Sequence, residues 1–423
     1  MVSALHAGAS TRFRSLRHRN FRLFWSGQLV SLIGTWMQSV SQGWLMHRLT
    51  DSPLMLGLLG FSQFIPVSAL SIWAGVVVDR VDKRRLILVT QTLAMLQAFA
   101  LAILAATHLI QPGMLLVLAG LFGAISAFDL PARQSFLVEM VGKEDLSNAI
   151  ALNSAGFNAA RVVGPAVAGA VLAWAGETAC FFVNALSYVV VLVMLLRMDV
   201  VSRPRKDASA SSPVREGIDY ALNVAPIRNL LLLLGVTAGL GFQYMTLLPV
   251  FARQILHAGP SAYGLMVASF GLGSLLAALW LTRPHDRWSL RRNLLTGLSV
   301  AGVGMGVFAW SRWMPLTLIM GFAAGFGLIL YVASTNMLLQ LTTEDRFRGR
   351  VMSFYTFMFI GTAPIGALMA GGIAQRWGAP WANTMCAAIL LGGAIWVSYR
   401  LKVLAAREAA ERLTAPVMTE KVG

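Results

Sequence analysis

The sequence predicts an all-α integral membrane protein of twelve transmembrane helices arranged as two pseudo-symmetric six-helix bundles. Three observations predict it. First, the chain has 423 residues, of which 57% are hydrophobic and only 12% charged, against about 25% charged in an ordinary globular domain. Second, apolar runs of about 20 residues, each long enough to cross a bilayer as a helix, recur along nearly the whole length. Third, short sequence matches recur in the same order in the two halves. A soluble enzyme is excluded, and the expectation is no enzyme, no cofactor and no metal. The six histidines fall into no metal-ligand spacing, and no Gly-x-x-x-x-Gly-Lys-Ser/Thr loop exists for ATP. Cys180 and Cys386 lie inside apolar segments and read as small packing residues.

The predicted spans are 22–47, 54–78, 86–107, 113–137, 148–173 and 179–197, then 228–252, 262–282, 293–311, 315–339, 351–376 and 381–401. The domain organisation follows: an N-terminal tail 1–21, a six-helix bundle 22–197, a linker 198–227, a second bundle 228–401 and a C-terminal tail 402–423. The first span is too long for a signal peptide. In the linker, Ser212-Pro213 followed by Val214, Ile218 and Leu222 reads as a capped amphipathic helix lying on the membrane face.

The net charge of +16 would ordinarily suggest nucleic acid, but here it maps sides of a membrane. With the N-terminus in the cytoplasm, 29 of the 34 basic residues fall in cytoplasmic segments, against four outside (Arg48, Arg253, Arg312, Arg376) and Arg161 within a span. Positive residues are retained on the cytoplasmic side, so both termini are expected there, facing anionic headgroups. The bilayer is the partner implied, and nucleic acid is not.

The halves repeat. Asp79-Arg80-Val81-Asp82-Lys83-Arg84-Arg85 returns 207 residues later as Asp286-Arg287-Trp288-Ser289-Leu290-Arg291-Arg292, and Gly57 and Gly264 share that shift. Glu144-Asp145 and Glu344-Asp345 each precede a span containing a proline, Pro165 or Pro364. Transporters built from paired repeats bind substrate between them near the midplane.

Charged groups within spans are costly and mark function. Arg161 lies about 20 Å into span five at 1.5 Å per residue, and Asp129 is the carboxylate within the membrane that invites titration. Asp129 is expected to interact with Arg161 and to serve as the coupling group; Arg133 is the alternative partner, and a purely structural pair the bland reading. Polar and aromatic residues inside spans supply candidates for a wet substrate cavity: Gln28, Gln38, Gln42, Gln63, Asn153, Asn158, Gln243, Tyr244, Tyr331, Asn336 and Tyr355. Each could equally be glue between helices.

Two motifs carry a resemblance. The loop with Gly75, Asp79, Arg80, Lys83, Arg84 and Arg85 resembles the cytoplasmic signature between helices two and three of the major facilitator superfamily, with Asp82 where that pattern has a second glycine. Gly164-Pro165, ending in Gly169, resembles its antiporter motif, with Ala168 in place of one glycine. Arg19-Asn20-Phe21-Arg22-Leu23-Phe24-Trp25, Gln38-Ser39-Val40-Ser41-Gln42-Gly43-Trp44 and Asp129-Leu130-Pro131-Ala132-Arg133-Gln134 are similar to the bacterial siderophore and drug efflux branch. The resemblance implies a monomeric, multi-pass transporter in the bacterial inner membrane, with a cytoplasmic gate at the Gly75–Arg85 loop that ties helices two and eleven. It implies export of a siderophore-like or drug-like molecule in exchange for protons by alternating access. The alternatives are an importer of a metabolite or sugar, disfavoured by Gly164-Pro165, and a transport-dead sensor or assembly partner.

Overall fold

The computed structural model describes residues 14–199, 214–283 and 285–414. The predicted cap Ser212-Pro213, residues 1–13 and the chain beyond 414 lie outside them. The N-terminal bundle comprises α1 (Arg19–Thr50), α2 (Pro53–Arg80), α3 (Lys83–Ala106) and α4 (Pro112–Val141), then α5 (146–175) and α6 (177–196). The last two are divided at Gly176, whose φ of 74° only glycine adopts freely. A short helix α7 (Val214–Asn223) precedes the second bundle. That bundle comprises α8 (Ala225–Ile255), α9 (Pro260–Trp280), α10 (Arg287–Trp310), α11 (Met314–Thr342), α12 (Arg348–Trp377) and α13 (Ala379–Thr414).

Ends of helices are set by local chemistry. Ser52 caps α2 by accepting from the Met55 amide, with Pro53 in the first turn, where its missing N–H costs nothing. Asp82 caps α3 by accepting from the Arg85 amide at 2.9 Å, and Asp286 caps α10 through the Ser289 amide. The residue that departs from the signature loop is therefore a helix cap. Arg84 donates to the carbonyls of Leu195 and Leu196 at the end of α6, and Arg287 to that of Leu341 at the end of α11, cations where a helix dipole is negative.

Two helices are not regular. π-helical turns interrupt α8 at Thr237–Gly241 and Phe251–Ile255, and α12 at Phe357–Gly361. The Gln243 amide donates to the carbonyls of Ala238 and Gly239, recovering hydrogen bonds that the first break frees.

The two bundles meet at backbone crossings. A Cβ on Gly57 would stand 2.6 Å from the Ala367 carbonyl and 3.0 Å from the Gly371 Cα, so α2 and α12 touch main chain to main chain. A Cβ on Gly264 would stand 2.6 Å from both the Pro165 carbonyl and the Gly169 Cα, so α9 and α5 do the same. Both crossings lie toward the end of the molecule away from the Asp79–Arg85 loop. That far end is tied further by Arg253, which donates to the Asp51 carboxylate at 3.1 Å, by the Ser52 hydroxyl donating to Gln375 at 2.8 Å, and by Trp44 stacked on Tyr263.

At the basic end, α7 docks on the loop between α11 and α12. Glu216 pairs with Arg350 at 3.2 Å and Arg346 at 3.4 Å, and Tyr220 stacks on Phe347 with centroids 4.1 Å apart. Ile218 and Leu222 are exposed on its other side. The N-terminal segment docks likewise on the loop before α5: Arg14 pairs with Asp145 at 3.2 Å, and the His18 ring meets that carboxylate at 2.9 Å.

Valine at Gly57 or Gly371 cannot fit this crossing. Overpacking of this kind costs about 1–3 kcal/mol, so Gly57→Val and Gly371→Val are expected to open the far end. Maleimide labelling of a cysteine placed at buried Leu56 should rise several-fold in either variant; unchanged labelling would mean the crossing does not seal that end.

The hydrogen bond from His18, followed by the charges of Arg14 and His18, holds the Asp145 carboxyl below its ordinary value. A depressed pKa stabilises the docked segment at any pH above the ordinary carboxylate range, and the contribution disappears as pH falls through the lowered value. Amide exchange at residues 14–18 is accordingly expected to stay slow from pH 7 to 5 and to accelerate below about pH 4, with Asp145→Asn fast throughout.

Candidate functional site

A cavity of about 340 Å³ opens between the bundles and is walled mostly by the first. Helix α1 contributes Ser31, Thr35, Trp36, Ser39 and Gln42, residues that fall on one face at steps of three and four. Helix α2 adds Leu56, Leu59, Gln63 and Phe64, α3 adds Gln91, and α4 adds Phe122, Ser126, Asp129 and Arg133. Across the seam, Met245, Thr246, Pro249 and Tyr263 close the far end.

The polar centre is Asp129, 5% exposed. Its Oδ2 accepts from Arg133 Nε at 2.7 Å, one helical turn along α4, and its Oδ1 accepts from the Thr90 hydroxyl at 2.7 Å and the Gln91 amide at 2.9 Å. Arg133 also donates to the Gln28 side-chain oxygen. Side chains from α3 and α4, and from α1 through Arg133, thus hold one carboxylate, as a buried charge requires.

The expected Asp129–Arg161 contact is absent. Asp129 finds Arg133 first because the i,i+4 spacing puts both on one face of α4, and no rotation of α5 is needed. Arg161 instead donates to the Tyr244 hydroxyl at 3.4 Å and lies 5.9 Å from the Trp36 ring centroid. The 29 basic residues assigned to cytoplasmic segments include Arg133. It lies inside α4, which runs on to Val141, and the basic bias does not depend on it.

Of the eleven cavity candidates, only Gln42 and Gln63 line the cavity. Gln28 reaches it through Arg133, and Tyr244 stands behind the wall, stacked on Phe270 at 4.1 Å. The rest join helices or cap turns. Gln38 bonds Gln97 and Asn184 across α1, α3 and α6. Gln243 satisfies the break in α8, and the Tyr331 hydroxyl meets Thr237 at 2.9 Å. Asn158 donates to the Ser154 carbonyl, Asn336 accepts from Gln340, and the Tyr355 hydroxyl donates to the Val332 carbonyl. Asn153 is partly buried on α5 and outside the cavity wall.

The gate residues Gly75, Asp79, Arg80, Lys83, Arg84 and Arg85 do not tie α2 to α12 here. Nothing lies within 4 Å of a Cβ built on Gly75, and Asp79 and Arg80 are exposed. The basic cluster is used within its own half, Lys83 pairing with Glu139 at 2.5 Å and Arg84 capping α6. The antiporter-motif residues are packing surfaces on two sides: a Cβ on Gly164 would strike Trp36 of α1, while Gly169 and the Pro165 carbonyl receive α9.

The sequence reading passed over Thr90 and Gln91, although a Thr-Gln-Thr run inside an apolar helix is the signal that marks them. It also passed over the far-end cluster of Asp51, Arg253 and buried His47, whose ring nitrogens have no hydrogen-bond partner among the described residues.

The family model of the transmembrane secretion effectors matches residues 10–423. The chain belongs to this family of major facilitator transporters. A relative described as the staphyloferrin A transporter of Staphylococcus aureus is 26% identical, over 84% of this chain and 90% of its own. The multidrug efflux pump Tap of Mycolicibacterium fortuitum is 25% identical, over 83% and 88%. Among solved structures, the nucleoside transporter NupG superposes with a TM-score of 0.72 at 12% identity, over 90% of this chain and 99% of that one. A bacterial homologue of the human lysosomal transporter Spinster, described as inward-facing and occupied, superposes with a TM-score of 0.72 at 14% identity, over 93% and 97%. The protein is therefore a multi-pass membrane transporter of small molecules, with the major facilitator fold and no enzymatic family.

Removing the carboxylate strands Arg133. Asp129→Ala is expected to cost about 3–5 kcal/mol and to lower the melting temperature clearly in detergent. Asp129→Asn strands Arg133 equally but keeps an oxygen for Thr90 and Gln91, so it should cost less by about 1–2 kcal/mol, and equal losses in the two variants would show that those two hydrogen bonds contribute nothing.

Proposed function

We propose that the protein is a proton-coupled exporter of a small organic molecule, siderophore-like or drug-like, in the bacterial inner membrane with both termini cytoplasmic. The observation that carries the reading is a buried carboxylate, Asp129, on the wall of a cavity between two bundles that touch at one end, while at the other Asp79 and Arg80 are exposed and nothing packs on Gly75. By the charge bias of the loops that second end faces the cytoplasm, which makes this the inward-facing state, the state in which an exporter takes its load.

Asp129 can serve coupling because its charge is held by groups that move with separate helices. Protonation would release Arg133 and alter how α3 and α4 hold together, and deprotonation would restore the pair. A buried ionisable group in a membrane bundle marks a functional site, and carboxylates at such places serve as proton relays in pumps and transporters. The Gly75–Asp79 loop is then free in this state and available to bind α12 once the cytoplasmic end closes. Gly164, Pro165 and Gly169 would act as the bearing on which α5 turns against α1 and α9. Export is favoured over import by the efflux relatives and by the Gly164-Pro165 motif.

The test is reconstitution in liposomes with an imposed proton gradient and, as cargo, an iron-free siderophore or drug-like aromatic dyes of either charge. Cargo is expected to move against the proton flow in the wild type. Asp129→Asn should abolish gradient-driven movement, at least about tenfold, while the protein still elutes as a folded species. Undiminished gradient-driven transport in Asp129→Asn would overturn the coupling role, and cargo moving with the protons would make the protein an importer.

A further inference from the structure

The charges around the cavity do not balance. The membrane interior holds two guanidinium groups here, Arg133 and Arg161, and one carboxylate. Asp129 is engaged by its own neighbours, its two oxygens taking Arg133, Thr90 and Gln91. Arg161 has no acidic partner among the described residues; its contacts are the neutral hydroxyl of Tyr244 and the face of Trp36. Trp36 lines the cavity, and so does Phe157, one turn before Arg161 on the same face of α5. Arg161 is not itself a wall residue: the unbalanced guanidinium stands behind the wall, against the Trp36 ring.

Two further groups point the same way. The side chains of Gln42 and Gln91 are each 3% exposed and line the cavity. Gln42 has an amide nitrogen with no hydrogen-bond partner, and Gln91 an amide oxygen with none. Buried amide atoms are rarely left so. The site thus offers a free cation, a free donor and a free acceptor, between flat apolar walls formed by Trp36, Phe64, Phe122 and Phe157.

We propose that the cavity selects an amphipathic organic anion: a flat apolar body bearing a carboxylate, with a hydroxyl group that donates. The carboxylate is held by Arg161, whose planar fork suits it, and by the free Gln42 donor. The hydroxyl donates to the Gln91 oxygen. A cation is disfavoured, because Asp129 is already ion-paired with Arg133 and the charge left without an acidic partner beside the cavity, Arg161, is positive. The proposal deepens the efflux reading and rests on it. It also gives the load a mechanical effect. The Arg161–Tyr244 bond joins α5 of one bundle to α8 of the other and is already long at 3.4 Å. A carboxylate that takes the guanidinium competes with Tyr244 and loosens this joint, so loading favours rocking.

The test uses purified protein in lipid nanodiscs and three probes with one body: 6-hydroxy-2-naphthoic acid, the corresponding naphthalenemethanol and the corresponding naphthylmethylamine. Binding is read by tryptophan quenching. The acid is expected to bind at least about tenfold tighter than the alcohol or the amine. Arg161→Gln should remove that preference while leaving the alcohol affinity unchanged, which also reports that the variant is folded. Arg161→Lys should keep part of it, and Gln42→Leu should weaken the acid alone by about threefold to tenfold. The proposal is overturned if the acid does not bind, if the amine binds as tightly, or if Arg161→Gln keeps the preference. Failure of the efflux reading is distinguishable: acid binding without any transport in liposomes sinks export and leaves the anion site standing, whereas transport of cations with no acid preference does the reverse.

Discussion

The architecture depends on two helix pairs in which backbones from different bundles touch without side chains between them. Gly57 of α2 meets Gly371 of α12, and Gly169 of α5 meets Gly264 of α9. In a bilayer no hydrophobic force drives one apolar helix onto another, so association rests on close van der Waals packing, and small residues permit it. The two crossings are equivalent under the internal repeat, since Gly57 and Gly264 occupy the same place in their halves. A pair of equivalent contacts at one end defines an axis about which two rigid bundles can rock, which a single contact would not. The ion pairs at that end, such as Arg253 with Asp51, are partly exposed and add little by themselves; they select the closed geometry that the glycines make attainable.

The second organising feature is the uneven division of polar groups between the bundles. The first holds its ionisable pair and its free amides against the cavity. The second turns its interior polar groups away from the cavity: Gln243 repairs the break in α8, Tyr331 bonds Thr237, and Asn383 is buried with no hydrogen-bond partner among the described residues. The π turns in α8 and α12 have the same logic, for irregular backbone at membrane depth persists only where something else supplies its hydrogen bonds. One bundle therefore presents chemistry, while the other presents a shaped surface of Met245, Thr246, Pro249 and Tyr263.

How much of this the sequence reveals depends on the range of the interaction. Spans, the break at the linker, the duplication and the crossing glycines are legible because apolar length and repeated strings are local and additive. The importance of Asp129 is legible too, because a lone carboxylate in an apolar helix needs a reason. Its partner is not: Arg133 and Arg161 were both available, and only the rotation of α5, set by Gly164 against Trp36, decides that Arg161 points at the seam. The amides were least legible. Gln38 and Gln42 lie one turn apart on α1, yet Gln38 is consumed by Gln97 and Asn184 while Gln42 faces the cavity. Which fate an amide meets depends on neighbours from two other helices, and a single helix's sequence carries no record of them.

The same dependence explains why Arg161 stands apart. A charge within a membrane protein normally brings its counter-charge on the same helix or on a permanent neighbour, as Asp129 does with Arg133 one turn away. Arg161 has instead a stacking ring from its own bundle and a hydroxyl from the other, contacts that hold its place without neutralising it. Because the hydroxyl belongs to α8 and the ring to α1, any motion of one bundle against the other must change the surroundings of this guanidinium. A fixed acidic partner would have made that change costly in one direction. On the proposed cycle, leaving the position without one would keep the two arrangements of the bundles close in energy and leave the difference between them to be set by what enters the cavity.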